Sequence, residues 1–149
     1  MNNLQTGKFV KTYNLIQSTK MQAIIIDFNF SNLHETNIQE LAYVNTLTGE
    51  SMCYFIHDQY DNKAINDSNN IHTVFNYLAK SSDVIFLIKG ENKVKYLKTL
   101  TGREFHNLER YSCPDFKRLP YPQIYCGYHH NTQHCALKFA KAYANWYNE

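Results

Sequence analysis

The sequence predicts a mixed α/β domain on three observations. Gln22–Phe30 (QAIIIDFNF) and Asp83–Ile88 (DVIFLI) are short, nearly continuous apolar runs, the composition of strands buried on both faces. Ile38–Thr46 and Ser51–His57 flank Leu47-Thr48-Gly49-Glu50, a Gly-containing connection of hairpin length. Apolar residues recur at helical spacing in three later segments.

Taken in order, residues 1–20 are polar, without a clear period, and are expected to be a loosely ordered leader; the domain proper is expected to span 21–149. The first apolar run carries a single charge, Asp27, and the hairpin follows. Asp58–Asn70 (DQYDNKAINDSNN) is rich in side chains that bond to their own backbone, which predicts an exposed loop with Asn70 capping the next helix. That helix is marked by Ile71, Val74, Phe75 and Leu78. After the second apolar run and Lys89-Gly90, a short helix over Asn92–Leu100 should turn Val94, Leu97 and Leu100 inward and end at Gly102. Phe105–Tyr111 reads as a further strand, Pro114, Pro120 and Pro122 break Cys113–Tyr125 into turns, and Gln133–Tyr147 reads as an amphipathic helix with Ala136, Ala140, Tyr143, Ala144 and Tyr147 on one side.

The 149 residues, 44% apolar, 15% aromatic and 19% charged, suffice for one compact core and exclude a multidomain machine. A formal charge of +2 is too small to mark a polyanion binder by itself. The charge is unevenly spread, however: residues 1–79 carry 4 basic and 7 acidic side chains, whereas 80–118 carry 9 and 5. Lys89, Lys93, Lys95 and Lys98 follow a strand end, where open α/β sheets form their ligand crevice, and are the candidate nucleic-acid contacts; a solvated helix face is the plainer account of each. No apolar run of membrane-spanning length and no secretory signal pattern is present, which predicts a cytoplasmic or nuclear protein with no membrane partner. In such a compartment Cys53, Cys113, Cys126 and Cys135 are expected as thiols or metal ligands rather than disulfides.

The most informative stretch is Cys126-Gly-Tyr-His129-His130-Asn-Thr-Gln-His134-Cys135, where thiols and imidazoles crowd the mouth of the last helix. Cys126 and His129 are spaced so that one turn can offer both to a zinc ion, and a helix start favours a thiolate at Cys135. His130, His134, Cys113 or a carboxylate from a strand can complete the set, and packed thiols beside solvated histidines are the alternative without metal.

Two resemblances bear on these residues. His134-Cys-Ala-Leu-Lys-Phe139, opening the last helix, resembles the closing motif of DEDDh-type exonucleases, which has Asp where this chain has Phe139; the leading-strand Asp-x-Glu of that family is here Asp27-Phe28-Asn29. A third carboxylate is expected after Asp83–Ile88, where the chain reads Lys89-Gly90-Glu91-Asn92-Lys93. Two-metal chemistry needs several ionised oxygens, so DEDDh catalysis is expected to be lost, with Asp27 and Glu91 the remaining catalytic candidates. The same departures resemble the Maelstrom domain, a relative with an RNase H-like fold and a Glu-Cys-His-Cys zinc site. On that resemblance Glu40, Cys126, His129 and Cys135 are the implied ligands of a structural zinc, closed because four protein ligands leave no open position.

The resemblance spans Met21 to Glu149. It implies an RNase H-like, DEDDh exonuclease-like mixed sheet with flanking helices. It also implies binding of single-stranded RNA, with weak cleavage as an accompanying activity, in RNA silencing or a viral or transposon setting. A protein-interaction module serving a silencing-pathway partner is the alternative from a different class, and an active metal-dependent 3'-5' exonuclease is the third.

Overall fold

The computed structural model describes residues 21–30, 38–55, 63–80, 83–120 and 135–149. Their order is β1 (Gln22–Phe30), β2 (Ile38–Asn45), β3 (Ser51–Phe55), α1 (Lys63–Leu78), β4 (Val84–Ile88), α2 (Glu91–Thr101), β5 (His106–Asn107), two 3-10 turns (Leu108–Tyr111 and Phe116–Arg118) and α3 (Ala136–Tyr147). The strands form one mixed sheet in the order β3-β2-β1-β4-β5. The first three make an antiparallel meander, and β4 and β5 add in parallel on the other side of β1. The long strand β1 is therefore central, which explains why its sequence is apolar at nearly every position.

Side-chain alternation along β1 sorts the core into two layers. Ala23 and Ile25 pack with Ala42, Val44, Ile85 and Leu87 against α3. Ile24, Ile26 and Phe28 pack with Leu41, Tyr43, Phe86 and Ile88 against α1 and α2. Phe75, fully buried, meets Phe86 and Phe105 edge-on, with ring centroids 5.1 and 5.4 Å away, and so ties α1 to the far end of the sheet. In α3 the five positions marked from the sequence are all buried. Near the end of β1 the pairing skips Gln39, from Asn29↔Glu40 to Phe30↔Ile38. This bulge lets Ile38 enter the α1–α2 layer while Glu40 stays on the α3 side.

Three boundaries depart from the sequence expectations. The loop expected over Asp58–Asn70 is helical from Lys63 onward, so Asn70 lies inside α1 rather than capping it. Once Ile71, Val74, Phe75 and Leu78 dock, each further turn costs only a propensity difference, at most about 0.7 kcal/mol per Asn or Asp, without a new nucleation step. The strand expected over Phe105–Tyr111 is reduced to His106–Asn107. Asn107 Oδ1 accepts the Glu109 N–H at 2.9 Å, and this local bond turns the chain into a 3-10 helix instead of a longer ladder. The last helix is described from Ala136, with Cys135 at its N-cap. As expected, α2 ends at Gly102, whose φ of 74° is the left-handed value that glycine adopts without strain, and whose N–H bonds Lys98 O. The expected leader, residues 1–20, lies outside the described residues.

Candidate functional site

Strand β1 runs on past β4. The parallel pairing ends at Ile26↔Ile88, so Asp27–Phe30 extend beyond the β4 ladder. Asp27 and Asn29 project from this overhang toward the α3 layer, by the same alternation that sends Phe28 the other way. Asp27 is 2% exposed. Lys93, on the first turns of α2, reaches over the strand end and places Nζ 2.8 Å from Asp27 Oδ1 and 3.0 Å from Phe28 O. The ammonium also lies 5.2 Å from the Phe28 ring centroid, a cation-π contact. From α3 the buried Tyr143 phenol feels the same carboxylate; burial pushes its pKa well above the ordinary value, and the Asp27 charge pushes it further.

Next to this pair lies Glu40, 1% exposed, and opposite Asn29 in the β1–β2 ladder. Its Oε1 accepts from the Asn29 side-chain amide and, at 3.1 Å, from the Ala136 N–H. Its Oε2 accepts from the Cys53 thiol at 3.5 Å. Cys135 provides no side-chain cap for α3, so a carboxylate distant in sequence serves that helix end, satisfying one orphan amide and setting negative charge at the positive end of the dipole. Glu40 thus faces inward, toward the peptide joining Cys135 to Ala136, and not outward into solvent as a surface strand position would.

For zinc, the donor types at this joint fit in kind: the buried Glu40 carboxylate accepts from the Cys53 thiol and, through its other oxygen, holds the amide next to Cys135. Cys126 and His129, the other two implied ligands, lie outside the described residues, as do His130 and His134. Among the described residues no group of three His, Cys, Asp or Glu is placed to hold a metal. No disulfide joins Cys53, Cys113 and Cys135 to one another. Cys113 is buried, its Sγ 3.6 Å from Pro114 O.

The two catalytic candidates have separate partners. Glu91 sits at the start of α2, where its Oε1 accepts from Asn107 Nδ2 at 3.2 Å and lies 3.8 Å from Arg110. Asn107 in turn accepts the Gly90 N–H at 3.0 Å, fixing the β4–α2 connection to β5. At the position where the exonucleases carry their last Asp, the Phe139 ring stacks on Phe116 with centroids 3.7 Å apart and planes 5° from parallel. Tyr143 meets both rings edge-on.

The four candidate nucleic-acid lysines do not form a uniform patch. Lys89, its side chain only 11% exposed, lies 3.3 Å from Glu109 and 3.9 Å from Asp115. Lys93 is committed to Asp27, Lys98 pairs with Glu104 at 3.5 Å, and Lys95 is exposed. Sequence reasoning missed Cys53 and the role of Lys93. Cys53 was accessible by counting the hairpin register, which sets it opposite Ala42 and so on the face of Glu40. Lys93 gave no signal, because its partner is 66 residues away.

No described helix is long and apolar enough to cross a membrane. The chain matches no protein-family model, no curated protein and no solved structure.

Proposed function

We propose that the chain is a catalytically degenerate RNase H-like domain, stabilised by a structural zinc at Glu40, Cys126, His129 and Cys135, that binds single-stranded RNA in a silencing, viral or transposon setting. The observation that carries this reading is the Glu40 carboxylate on the Ala136 amide, which sets the strand glutamate beside the helix that begins after Cys135. The antiparallel meander followed by two parallel strands makes a mixed sheet flanked by helices, as the resemblance implies, and supports the reading at that level. Lys93 on Asp27 and the stacked Phe139 argue against two-metal exonuclease chemistry, since an ammonium and a phenyl ring stand where hard cations need oxygen ligands. Zinc bound by such a set would join β2 to α3 and contribute folding energy, without an open position for a substrate.

RNA binding rests on the basic segment after β4. Lys95 is exposed, and the Lys98–Glu104 pair is open to solvent, so a phosphate can replace the glutamate at little cost. The interaction-module reading is favoured by a different observation: Lys89 and Lys93 are already neutralised by carboxylates of the chain itself.

Metal analysis of purified protein should find about one zinc per chain, lost in Cys126→Ala and Cys135→Ala. Labelled single-stranded RNA should bind with an affinity that falls steeply as salt rises, and Lys95→Ala/Lys98→Ala should flatten that dependence. Zinc-containing protein that leaves the RNA unbound at low salt would favour the interaction module; zinc-free protein of undiminished stability would remove the metal centre from the proposal.

A further inference from the structure

A cleft of about 210 Å3 opens between α2 and β5, the last strand of the sheet, and the first 3-10 turn adds a further wall. No residue of the Asp27–Lys93 or Glu40 clusters lines it. From α2 it receives Glu91, Val94 and Lys98, which share one helix face at i, i+3 and i+7. We infer that this cleft binds a small phosphate monoester carried on a hydroxylated group, a sugar phosphate in size and chemistry. The inference does not depend on zinc or on RNA binding.

Size and charge select this class. The volume is below the roughly 300 Å3 at which sites for drug-sized molecules begin, so the ligand is small. Buried Val94 and Phe105 give the cleft an apolar wall. Lys98 from α2 and Arg110 from the 3-10 turn bring two positive charges to it from different elements. Each is paired with a glutamate across a gap open to solvent, Lys98 with Glu104 at 3.5 Å and Arg110 with Glu91 at 3.8 Å. Such exposed pairs are weak, so a phosphate monoester, with nearly two charges and three outer oxygens, can take over both cations at little cost. The His106 and Tyr111 side chains also line the cleft, and neither has a hydrogen-bond or ion-pair partner among the described residues, which leaves two more polar groups for a ligand. Glu91 decides what carries the phosphate. Its Oε1 is held by Asn107 Nδ2 at 3.2 Å, which keeps the carboxylate in the cleft. A carboxylate only accepts hydrogen bonds. A bare anion meets it with like charge, whereas the hydroxyls of a sugar donate to it and leave the phosphate to the cations.

The test is titration calorimetry of the full chain with ribose 5-phosphate, ribose and inorganic phosphate at millimolar concentration. Ribose 5-phosphate should bind once per chain, about tenfold more tightly than phosphate, and ribose should not bind. Lys98→Gln and Arg110→Gln each remove one exposed cation and should weaken ribose 5-phosphate about tenfold, with thermal unfolding in the absence of ligand unchanged. Lys80→Ala, which removes an exposed cation outside the cleft, should bind as wild type does. Single-stranded RNA ending in a 5'-phosphate or a 5'-hydroxyl identifies the source of the monoester. Competition with ribose 5-phosphate by the phosphorylated RNA alone seats a strand end in the cleft, and competition by neither assigns a free small molecule. Equal competition by both would show a site for internal diesters and overturn the inference. So would ribose 5-phosphate that fails to bind, that binds no better than phosphate, or that binds Lys98→Gln/Arg110→Gln as it does wild type.

Discussion

The Glu40 carboxylate and the Ala136 amide, 96 residues apart, meet in a buried 3.1 Å hydrogen bond that fastens the start of α3 to the middle of the sheet. Because Cys135 lends α3 no cap, this bond has a structural role with or without metal. Glu40→Ala should cost about 2–4 kcal/mol in urea unfolding, since it strands the buried Ala136 N–H and removes one bond of the half-buried Asn29 amide. Glu40→Gln keeps an acceptor and should cost less. The difference between the two should persist in chelator, which separates the capping role from any zinc contribution.

Alkaline stability should fall early. Tyr43, Tyr143 and Tyr147 are buried, and burial is the main cause that holds each phenol well above the ordinary 10.0; the Glu50 carboxylate adds to this at Tyr43, and Asp27 at Tyr143. Their folded-state values lie above the unfolded ones, so above pH 10 the unfolded chain has lost protons that the folded chain retains. Stability is therefore complete below pH 10 and declines as pH rises, by up to about 4 kcal/mol per pH unit for three tyrosines. Phenolate absorbance measured alongside circular dichroism should show these three ionising together with unfolding.

Asn107 links β5, the β4–α2 connection and the 3-10 turn. Its Oδ1 accepts from Gly90 N and Glu109 N, and its Nδ2 donates to Glu91 and Glu109. Asn107→Ala should cost about 2–3 kcal/mol and raise hydrogen exchange at Gly90 and Glu109. Asn107→Asp keeps both acceptor bonds but faces two carboxylates, and should fall between wild type and alanine.

An aspartate at position 139, as the resembling exonucleases have, should not confer nuclease activity. Phe139→Asp breaks the stack on Phe116 and places a charge among aromatic rings, so the expected result is a loss of about 1–3 kcal/mol and no magnesium-dependent degradation of single-stranded RNA. Gain of such degradation would show that the acidic centre is only one residue short of function.

Much of the sheet was legible because its signals are local. The apolar run of β1 and the Gly-containing hairpin connection show in neighbouring residues, and the spacing in α2 and α3 reflects a period of 3.6 residues, all of which the chain carries regardless of its partners. The reading failed at Lys63–Asn70, where asparagines and aspartates were taken for a loop, and at Leu108–Tyr111, where one Asn side chain turned a strand into a 3-10 helix. In the first case docking of a neighbouring turn overrode propensity; in the second a side-chain bond overrode the apolar pattern.

The sequence by itself determined an α/β order, a central apolar strand carrying one buried acid, and a terminal helix opening at a cysteine. It also set an amide at Asn29 and a phenyl ring at Phe139, where the resembling exonucleases carry acids. Only the tertiary structure decided which charges meet. Lys93 and Asp27 are 66 residues apart, and the strand overhang that lets them touch exists because β4 stops at Ile88 while β1 continues. Likewise Glu40 became a helix cap because the β2 register keeps it, with Ala42 and Val44, on the α3 side. Electrostatic partners are set by distances of a few ångströms, and those follow from strand register and helix docking, which no local period encodes.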